Sequence, residues 1–436
     1  MQDQIKSIIA EIQAQYFEDD NNRPWIVGFS GGKDSTMLLQ LVWYALIEYP
    51  AELRKRKIYV VCNNTLVENP KILAYTEKVL DKIQKAAVKK SMPITVHRTT
   101  PRLEDTFWVN LIGKGYPAPN NIFRWCTERM KINPTTKFIL ETISEEGEVI
   151  ILLGTRSDES SKRASSIKKY GIEGQRLRKH VLPNAFVFAP IKDVLTKEVW
   201  QYLLQMPSPW GASNRELVTL YNNASGGDCP LVVDITTPSC GNSRFGCWVC
   251  TVVNKDKSME ALIDNGEEWM EPLSMLRDTL AMSRDSEKYR ERRRRDGTEK
   301  EGTLGPYKAF FRAEVLETLL RAQKAIQDEQ PEISPLITYQ ELVAIQVIWY
   351  RDNLFLNNVS EIYQKVYGRT INLDSVSEGI ASQKRLLREV CKENPDDFNE
   401  INKLLEIQKT KTILMNNRGL HNVLENHLEN YIKNSK

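Results

Sequence analysis

The stretch Trp25–Trp43, WIVGFSGGKDSTMLLQLVW, decides the fold because an apolar run leads through a Ser-Gly-Gly loop into a helical pattern. The run predicts a short buried strand, and the residues after the loop predict a helix that Asp34 or Ser35 caps. Gly31 and Gly32 allow backbone turns that other residues avoid, so several N–H groups can converge at the positive end of the helix dipole. The loop therefore predicts a phosphate cradle. It is not a Walker A loop, since G-x-x-x-x-G-K-[ST] is absent.

The order of strand and then helix repeats along the first half of the chain. Strands are predicted over residues 23–29, 57–64, 93–100, 148–160 and 186–193. Helical patterns separate these strands and follow the last one, where Thr196 is expected to cap a helix. Alternation of this kind requires crossover connections, so we expect an α/β fold with a parallel, doubly wound sheet. In such sheets the ligand lies beyond the carboxyl ends of the strands.

The composition changes twice along the chain and predicts three parts. Residues 1–210 carry the strand and helix alternation, and residues 211–256 are rich in Gly, Ser, Pro and Cys with little periodicity. Residues 257–436 are highly charged and mainly helical in pattern. We therefore expect an α/β domain, a Cys-rich segment and a helical C-terminal region.

The bulk composition is that of a globular protein in water. The chain has 436 residues and a formal net charge of +3, which is too small to identify a partner. It has no apolar run long enough to span a bilayer, and its first twenty residues lack the apolar core of a signal peptide, so we expect a cytoplasmic protein without membrane association. Two basic clusters, residues 176–180 and 289–297, are either solvated surface or phosphate contacts to DNA.

Four of the seven cysteines lie close together in the Cys-rich segment. They are Cys229, Cys240, Cys247 and Cys250, with the spacing C-x10-C-x6-C-x2-C. Four thiolates suit either tetrahedral zinc or a [4Fe–4S] cluster. Zinc ribbons usually combine two C-x2-C pairs, and only one such pair occurs here. The spacing therefore favours the cluster, with zinc as the alternative.

Several motifs resemble those of one enzyme superfamily. The string SGGKDS at residues 30–35 is similar to the S-G-G-x-D-S pyrophosphate loop of the PP-loop ATP pyrophosphatases. RWCTERMKINP (124–134), GTRSDESSKRA (154–164) and APIKDVLTKEVWQYLL (189–204) resemble segments of its PAPS (phosphoadenosine phosphosulfate) reductase-like branch. The resemblance implies an adenine nucleotide alpha hydrolase-like fold in residues 1–210 and the use of ATP with Mg²⁺.

The resemblance also assigns roles to individual residues. The pyrophosphate of ATP would be bound by Ser30, Gly31, Gly32, Lys33, Asp34 and Ser35. Asp34 would hold Mg²⁺, because carboxylate oxygens suit that hard cation. Arg156 and Lys162 would bind the nucleotide or the substrate phosphate, since cations follow a strand end there. Arg163 would act with Asp34 and Ser35 on the reacting phosphates.

The combination of loop and cysteines resembles the DndC- and SspD-type sulfurtransferases of DNA phosphorothioation. These place an iron–sulfur cluster on four cysteines at this spacing, and GPYKAFFR (305–312) and the helical C-terminal third also resemble them. The resemblance implies that ATP adenylates a DNA backbone phosphate, that pyrophosphate leaves, and that sulfur replaces a non-bridging oxygen. It further implies DNA as substrate, a cysteine desulfurase as sulfur donor, and other Dnd or Ssp proteins as partners.

The three remaining cysteines differ in their surroundings. Cys126 lies between Arg124 and Arg129, which would favour its thiolate, so it is the candidate for a persulfide carrier. The alternative for Cys126 is a small buried apolar residue. Cys62 at a strand end is expected in the core, and Cys391 is expected to serve packing.

Other functions of the same superfamily compete with this interpretation. A sulfonucleotide reductase acting on PAPS or adenylyl sulfate is one, although the C-terminal residues NHLENYIKNSK lack the Cys of thioredoxin-dependent PAPS reductases. A tRNA thiolase is another, and the GTRSDES and RWCTERMK segments argue against it. A third is a non-catalytic component that binds ATP within a DNA-modification complex, which a lack of ATP turnover would reveal.

Overall fold

Strand β1 (Trp25–Gly28) lies inside a six-stranded sheet in the computed structural model of the chain. Its neighbours are β2 (Ile58–Asn63) and β4 (Val149–Leu152), and both run parallel to it. The remaining strands are β3 (Ile94–Thr99), β5 (Arg178–Lys179) and β6 (Ala185–Phe188), and the order across the sheet is β3-β2-β1-β4-β6-β5. Only the edge pair of β5 and β6 is antiparallel. The predicted α/β fold with a mostly parallel sheet is confirmed.

The structure describes most of the chain. The described residues are 2–18, 22–170, 175–224, 246–294, 297–299, 302–352, 354, 358–371, 385–392, 396–398, 400–401 and 404, and the side chains at positions 162, 163, 166 and 170 lie outside that description.

Helices connect the strands and form the C-terminal region. They are α1 (Gln2–Tyr16), α2 (Lys33–Ile47), α3 (Pro70–Lys89), α4 (Trp125–Thr127), α5 (Asn133–Glu146), α6 (Ser161–Tyr170), α7 (Thr196–Gln205), α8 (Asn214–Asn223), α9 (Lys257–Asp264), α10 (Glu271–Ser283), α11 (Ala309–Glu329), α12 (Tyr339–Arg351) and α13 (Val359–Tyr367). Two π-helical turns, Val109–Gly113 and Glu128–Ile132, and four short 3₁₀ helices supplement them. Among the described residues, none of the helices combines the length and the apolarity needed to cross a bilayer.

Both faces of the sheet are covered, as crossover connections require. On one face, Trp25 and Val27 of β1 join a large apolar cluster that includes the buried side of α2. On the other face, Ile26 packs with Ile151 of β4 and Ile139 of α5. Because side chains alternate along a strand, a continuous apolar run serves both faces at once.

The described chain forms two compact units whose boundaries differ from the predicted ones. The first unit comprises residues 1–101, 127–248 and 255–268, and the second comprises residues 102–126, 249–254 and 269–436. The prediction assigned residues 102–126 to the first domain and residues 249–254 to a separate Cys-rich part. The amino-acid composition could not predict these boundaries, because the contacts that define the two units join segments that are far apart in the sequence.

The second unit holds residues 102–126 through buried polar contacts. The indole of Trp108 donates to the Leu336 carbonyl at 2.8 Å, and the indole of Trp349 donates to the Ile112 carbonyl at 2.9 Å. Arg312 Nε also donates to the Ile112 carbonyl, at 2.7 Å. Buried donors of this kind need partners, so the segment is fixed to α11 and α12 as well as packed against them.

Three local predictions are wrong in detail. The strands predicted over 148–160 and 186–193 end at Leu152 and Phe188, and a 3₁₀ turn follows the first of them at Ser157–Glu159. The basic residues Arg178 and Lys179 form the short antiparallel strand β5, which was not predicted. Helix α2 has Gly32 at its N-cap without a side-chain hydrogen bond, and α7 begins after Leu195, so the expected side-chain caps are not used.

Candidate functional site

The loop after β1 turns sharply and leaves the start of α2 open. Gly31 has a φ of 72°, and a Cβ atom there would lie 2.4 Å from Thr76 Oγ1. Only glycine fits at position 31, because any other residue would be strained at this positive φ and its side chain would collide with α3. Gly32, the N-cap of α2, has no side chain to cap the helix, and the first helical N–H, that of Lys33, makes one long bond to the Tyr221 hydroxyl at 3.4 Å. A helix start without a side-chain cap from its own N-cap residue is a site for an anion.

Two hydroxyl groups brace this loop. The Ser30 N–H donates to Ser35 Oγ at 3.2 Å, and the two hydroxyl oxygens lie 3.2 Å apart. Ser35 Oγ in turn donates to the Gly32 carbonyl at 3.1 Å. The structure therefore brings Ser30, Gly31, Gly32 and Ser35 together around one concavity, as the motif predicts.

Asp34 joins this loop to the next strand of the sheet. Its Oδ1 accepts from Arg156 Nε at 2.7 Å, and its Oδ2 accepts from Lys33 Nζ at 2.9 Å. Gly154, two residues before Arg156, allows the approach, because a Cβ there would lie 3.1 Å from the Asp34 backbone carbonyl. The contact lies between the carboxyl ends of β1 and β4, where the connections turn to opposite sides of the sheet.

Arg156 is buried, with 1% of its side chain exposed. Besides Asp34 it donates to the Val194 carbonyl at 3.0 Å, to Thr196 Oγ1 at 3.1 Å and to Asp158 Oδ2 at 3.4 Å. These four acceptors occupy most of the donors of the guanidinium group. In this arrangement Arg156 positions Asp34, whereas the sequence predicts direct contact with a phosphate.

Asp158 and Thr196 form the outer part of this network. Asp158 Oδ2 accepts from both the backbone N–H and the hydroxyl of Thr196, each at 2.7 Å. Burial acts to raise the pKa of Asp158, but the hydrogen bonds from Thr196 and the charge of Arg156 outweigh it, so the pKa lies below its ordinary value. The sequence analysis missed Asp158, although its place two residues after Arg156 in a strand-end loop was a usable signal.

A pocket of about 340 Å³ opens beside the loop at the carboxyl ends of β1 and β2. Its apolar lining comes from both strands, from β4 and from α5, and its polar lining includes Ser30, Asn63, Thr76 and Thr135. Pockets for small ligands combine an apolar wall with a few polar groups in this way. The position next to the Ser-Gly-Gly loop suits a nucleotide whose phosphates lie on the loop.

Cys62 lines the pocket but is an unreactive thiol there. Its side chain is buried at the end of β2, and burial followed by the charges of Glu77 and Glu68 raises its pKa to about 12. A thiol with so high a pKa is almost entirely protonated at neutral pH and is a poor nucleophile. The expectation that Cys62 belongs to the core agrees with this position.

Cys247 of the Cys-rich segment is attached to the loop after β2, next to the pocket. It forms an isolated antiparallel bridge with Glu68, a pocket residue, and the flanking backbone pairs Trp248 N with the Val67 carbonyl at 3.0 Å. The Cys247 sulfur lies 3.3 Å from Thr65 Oγ1. One predicted cluster ligand is therefore fixed at the same edge of the sheet as the phosphate loop.

Comparison with known protein families shows which family the chain belongs to. The phosphoadenosine phosphosulfate reductase domain family matches residues 24–253, which is more than half of the chain and includes both the loop and the cysteines. The chain belongs to this family.

Two individual proteins are similar to this member of the PAPS reductase family. The uncharacterized protein MJ0066 of Methanocaldococcus jannaschii is 31% identical over 228 residues, which cover 52% of this chain and 36% of that protein. The chain thus spans about a third of the relative's length. A PAPS reductase from Candida auris, solved as a phosphate complex, is 10% identical with a TM-score of 0.30, covering 50% of this chain and 91% of that one. A likeness at this score carries no argument.

Within this PAPS reductase family member, Cys250 lies in the second unit, and buried arginine holds its backbone. Arg277 Nε donates to the Cys250 carbonyl at 3.1 Å, and Arg277 Nη1 donates to the Asn254 carbonyl at 2.9 Å. Thr251 adds a hydrogen bond from its hydroxyl to the Pro119 carbonyl at 2.6 Å. The turn after Cys250 is therefore fixed by side chains that no local motif predicts.

Two of the four cysteines predicted to bind the cluster are not among the described residues. Cys229 and Cys240 lie outside them, as do the side chains of Lys162 and Arg163. Within the described part, no group of three or more His, Cys, Asp or Glu side chains is placed to hold a metal. The four-cysteine ligand set and the phosphate contacts of Lys162 and Arg163 therefore stay predictions.

Cys126, the predicted persulfide carrier, lies in the short helix α4 of the second unit with a half-buried side chain. Neighbouring Arg124 donates to Asn121 Oδ1 at 2.8 Å, and the indole of Trp125 donates to the Pro117 carbonyl at 2.9 Å. The local sequence thus orders the backbone around the thiol. A carrier role for Cys126 stays a prediction.

Two described arginines of the basic run predicted to contact DNA are paired with acidic side chains. Arg292 lies 3.2 Å from Glu287, and Arg293 lies 2.8 Å from Glu299. Arg294 donates to Thr303 Oγ1 at 3.1 Å, while Arg295 lies outside the described residues. Each acidic partner reduces the positive field of the run, which weakens it as a phosphate-binding surface.

Tyr221 is a further site residue that the sequence analysis missed. Its hydroxyl accepts from the Lys33 N–H at 3.4 Å and would lie 3.3 Å from a Cβ on Gly32. Burial raises the pKa of Tyr221, so the hydroxyl stays neutral. Tyr221 lies in the last turn of α8, within residues 211–256, and nothing in its local sequence marks it as a neighbour of the phosphate loop.

Proposed function

We propose that this PAPS reductase family member is an ATP-dependent sulfurtransferase of the DNA phosphorothioation type. Its reaction would replace a non-bridging oxygen of a DNA backbone phosphate by sulfur. The observation that carries the proposal is the attachment of Cys247 to Glu68, because a cysteine of the Cys-rich segment then borders the pocket beside the phosphate loop. The family membership supports a nucleotide-using enzyme of sulfur metabolism, and the Cys spacing supports the finer assignment.

The start of α2 would bind the pyrophosphate part of ATP. The start of the helix, where the Lys33 N–H makes only a long bond to the Tyr221 hydroxyl, and the loop at Gly31 and Gly32 offer donors to a multiply charged anion. The Ser30 hydroxyl would add a neutral donor, and the Ser35 hydroxyl, which donates to the Gly32 carbonyl at 3.1 Å, would hold the loop in place. Such fixed donors stabilise charge that develops on a leaving group without reorganising during the reaction.

Magnesium would be held by Asp34. Its carboxylate fits the ion chemically, and Arg156 fixes its orientation through Oδ1. The Lys33 ammonium group now paired with Oδ2 lies on a flexible chain and can turn toward a phosphate instead. Bound Mg²⁺ would supply neutralisation of the pyrophosphate charge.

The reaction proceeds in two displacements at phosphorus. An oxygen of the DNA phosphate attacks the α-phosphorus of ATP, and the bond to the bridging oxygen breaks, so that pyrophosphate leaves. A sulfur nucleophile then attacks the activated DNA phosphorus, and AMP leaves with the original oxygen. Where the donor is a persulfide, a second thiol must cleave the sulfur–sulfur bond and is oxidised to a disulfide.

Cys229, Cys240, Cys247 and Cys250 would bind a [4Fe–4S] cluster. Thiolate ligands suit iron–sulfur clusters, and a zinc ion stays the alternative metal for these four cysteines. A cysteine desulfurase would supply the sulfur. Because two described arginines of the 289–297 cluster are paired with acidic side chains, other Dnd or Ssp proteins would help to hold the DNA.

The membership of the family also supports a second candidate, a sulfonucleotide reductase that acts on PAPS or adenylyl sulfate. Such an enzyme would release sulfite and need an external thiol reductant, but it would not consume ATP. Sulfite formation from either sulfonucleotide, without DNA, separates it from the sulfurtransferase.

The first test uses anaerobically purified full-length protein. Iron, acid-labile sulfide and zinc are measured per chain, and about four irons with four sulfides are expected. The variant Cys247→Ser should lose both, whereas Cys391→Ser, which removes a buried cysteine outside the predicted ligand set, should keep them. One zinc without labile sulfide would remove the cluster from the proposal.

The second test follows the reaction itself. ATP, DNA, cysteine and a cysteine desulfurase are added, AMP and pyrophosphate are quantified, and nuclease-digested DNA is searched for phosphorothioate dinucleotides by mass spectrometry. Ser35→Ala should reduce all three products at least tenfold, because the loop loses the hydroxyl that joins Ser30 to Gly32 and its fixed donors are misplaced. Thr219→Ala, an exposed hydroxyl on α8, is the control. Sulfite without AMP would favour the reductase.

A further inference from the structure

Two carboxylates of the pocket have no part in the proposed reaction. Glu68 lies in the loop after β2, and Glu77 lies in the second turn of α3. Lys131 is the cation among the described lining residues, and it comes from the π-helical turn before α5. The α3 side of the pocket is therefore acidic, which is unexpected for a site that binds phosphorylated ligands.

The starts of α2 and α3 differ in what they offer an anion. Helix α2 begins without a side-chain cap. Helix α3 is capped by Asn69, whose Oδ1 accepts from Lys71 N at 3.0 Å and from Ile72 N at 3.5 Å, and Pro70 has no N–H to offer. The start of α3 is thus closed by its own side chain, whereas the N-cap residue of α2 has no side chain and the Lys33 N–H has a single long bond, to the Tyr221 hydroxyl at 3.4 Å.

Glu77 lines the pocket and follows the residue of α3 that contacts the phosphate loop. Thr76, the residue before it, packs against Gly31 so tightly that no Cβ fits between them. In a nucleotide the ribose follows the 5′-phosphates, so a nucleotide anchored on the loop presents its sugar to this part of α3. A carboxylate there can accept hydrogen bonds from ribose hydroxyl groups and repels a phosphate attached to them.

The neighbouring cation does not cancel this negative charge. Arg98 Nε donates to Glu77 Oε2 at 2.6 Å, and Arg98 Nη2 donates to Asp81 Oδ1 at 2.8 Å, so one guanidinium group serves two carboxylates. Glu68 adds a further negative charge and accepts from Thr65 Oγ1 at 2.8 Å. The charges of Glu77 and Glu68 also act, after burial, to raise the pKa of the Cys62 thiol in the pocket wall.

We propose that Glu68 and Glu77 make the pocket selective for a nucleotide with free ribose hydroxyls and exclude one that carries a 3′-phosphate. The inference rests on the proposed function only in placing the 5′-phosphates on the loop after β1. It implies that the pocket disfavours phosphoadenosine phosphosulfate, because the ribose of that compound bears a 3′-phosphate. ATP meets the requirement, as do adenosine nucleotides with other groups on the 5′-phosphate.

The test compares two probes that differ only by the 3′-phosphate. AMP and adenosine 3′,5′-bisphosphate are titrated into the full-length protein by calorimetry, with ATP as a third ligand. AMP should bind at least about tenfold more tightly than the bisphosphate, since added negative charges near two carboxylates are repelled in a partly buried site. The preference should weaken as salt is raised, because ions screen the repulsion.

Two variants and a matched control assign the effect to these side chains. In the double variant Glu68→Gln/Glu77→Gln the preference for AMP should fall at least threefold, mainly through tighter binding of the bisphosphate. Asp81→Asn removes one carboxylate from the same Arg98 pair, but Asp81 does not line the pocket. It should leave the preference unchanged.

The outcomes separate this inference from the proposed function. Equal or tighter binding of the bisphosphate by the unaltered protein would overturn the selectivity, whether or not ATP is turned over. An unchanged preference in the double variant would also overturn it. Normal selectivity together with no release of AMP and pyrophosphate from ATP would instead count against the sulfurtransferase. If none of the three nucleotides binds, both proposals fail.

Discussion

The Asp34 carboxylate accepts a hydrogen bond from the buried guanidinium group of Arg156 at 2.7 Å. The contact joins the start of α2 to the loop after β4, and it fixes the carboxylate that would hold magnesium. Because Arg156 also binds Asp158, Thr196 and a backbone carbonyl, its place depends on three segments of the chain. A residue held in this way positions another group and has little freedom to bind a ligand.

Arg156→Lys is therefore expected to damage both stability and turnover. Lysine keeps the charge but cannot reach four acceptors in one plane, so buried acceptors lose their donors. Breaking a buried charge network by removing one partner costs about 3–5 kcal/mol, and we expect a loss near the lower end for this conservative change. Urea unfolding measures the first effect, and pyrophosphate release per folded protein measures the second. A fully active variant would show that the guanidinium group is dispensable for positioning Asp34.

The Asp158 carboxylate predicts a dependence of stability on pH. Its pKa is lower in the folded protein than the ordinary value of 3.8, because the hydrogen bonds from Thr196 and the charge of Arg156 outweigh the effect of burial. Its stabilising contribution is therefore complete above pH 3.8 and is lost as the pH falls through the lower folded value. Asp158→Asn should be less stable than the unaltered protein at pH 6, and the difference should shrink between pH 4 and pH 2. A difference that stays constant over that range would contradict the assignment.

Sequence patterns predicted the sheet and the phosphate loop because both depend on neighbours along the chain. The conformations of the apolar run that begins at Trp25 and of the glycines after it are determined by residues close to them in the sequence. The role of Arg156 depends on Val194 and Thr196, which are distant in sequence, so its cationic charge alone indicated a phosphate contact. Thr196 similarly looked like a helix cap, but its hydroxyl donates to Asp158 instead.

The sequence also did not predict which acidic residues line the pocket or where the two units begin and end. Glu68 and Glu77 belong to no motif, and only the packing of α3 beside Gly31 identifies them as pocket residues. Residues 102–126 belong to the second unit because Trp108 finds a partner at Leu336. A sequence shows which residues are apolar or charged, whereas the partner that satisfies each buried group comes from the folded chain.

Gly31→Ala should abolish nucleotide binding through two separable effects. One is the positive φ, which costs an L residue about 1–2 kcal/mol, and the other is the collision with Thr76. Gly147→Ala provides the matched control, because Gly147 also has a positive φ but nothing lies within 4 Å of its would-be Cβ. Binding of ATP is measured by calorimetry and stability by urea unfolding. Gly147→Ala should lose only stability. Gly31→Ala/Thr76→Ala should recover part of the stability that Gly31→Ala loses.

Cys62 should resist alkylation in the folded protein. Its pKa of about 12, raised from 9.0 chiefly by burial, lowers the thiolate fraction at pH 8 by about a thousandfold. Iodoacetamide labelling followed by peptide mass spectrometry should show slow modification of Cys62, with the half-buried Cys126 labelled faster. Both should react at similar rates in urea. Rapid labelling of Cys62 under native conditions would mean that its thiol is activated and would make it a candidate sulfur carrier.

Thr65→Val tests whether Cys247 binds the predicted cluster while it stays at its position beside Thr65. The Thr65 hydroxyl donates to Glu68 Oε1 at 2.8 Å and lies 3.3 Å from the Cys247 sulfur, so it could turn to donate to a cluster-bound thiolate there. Hydrogen bonds to ligand sulfurs raise the reduction potential of iron–sulfur clusters. Removing the hydroxyl should lower the potential, measured by a spectroscopic redox titration of anaerobic protein, while the iron content and ATP binding stay unchanged. Thr65→Ser keeps the hydroxyl and should keep the potential. If both variants titrate like the unaltered protein, Cys247 does not carry the cluster beside Thr65, and its bridge to Glu68 is only structural.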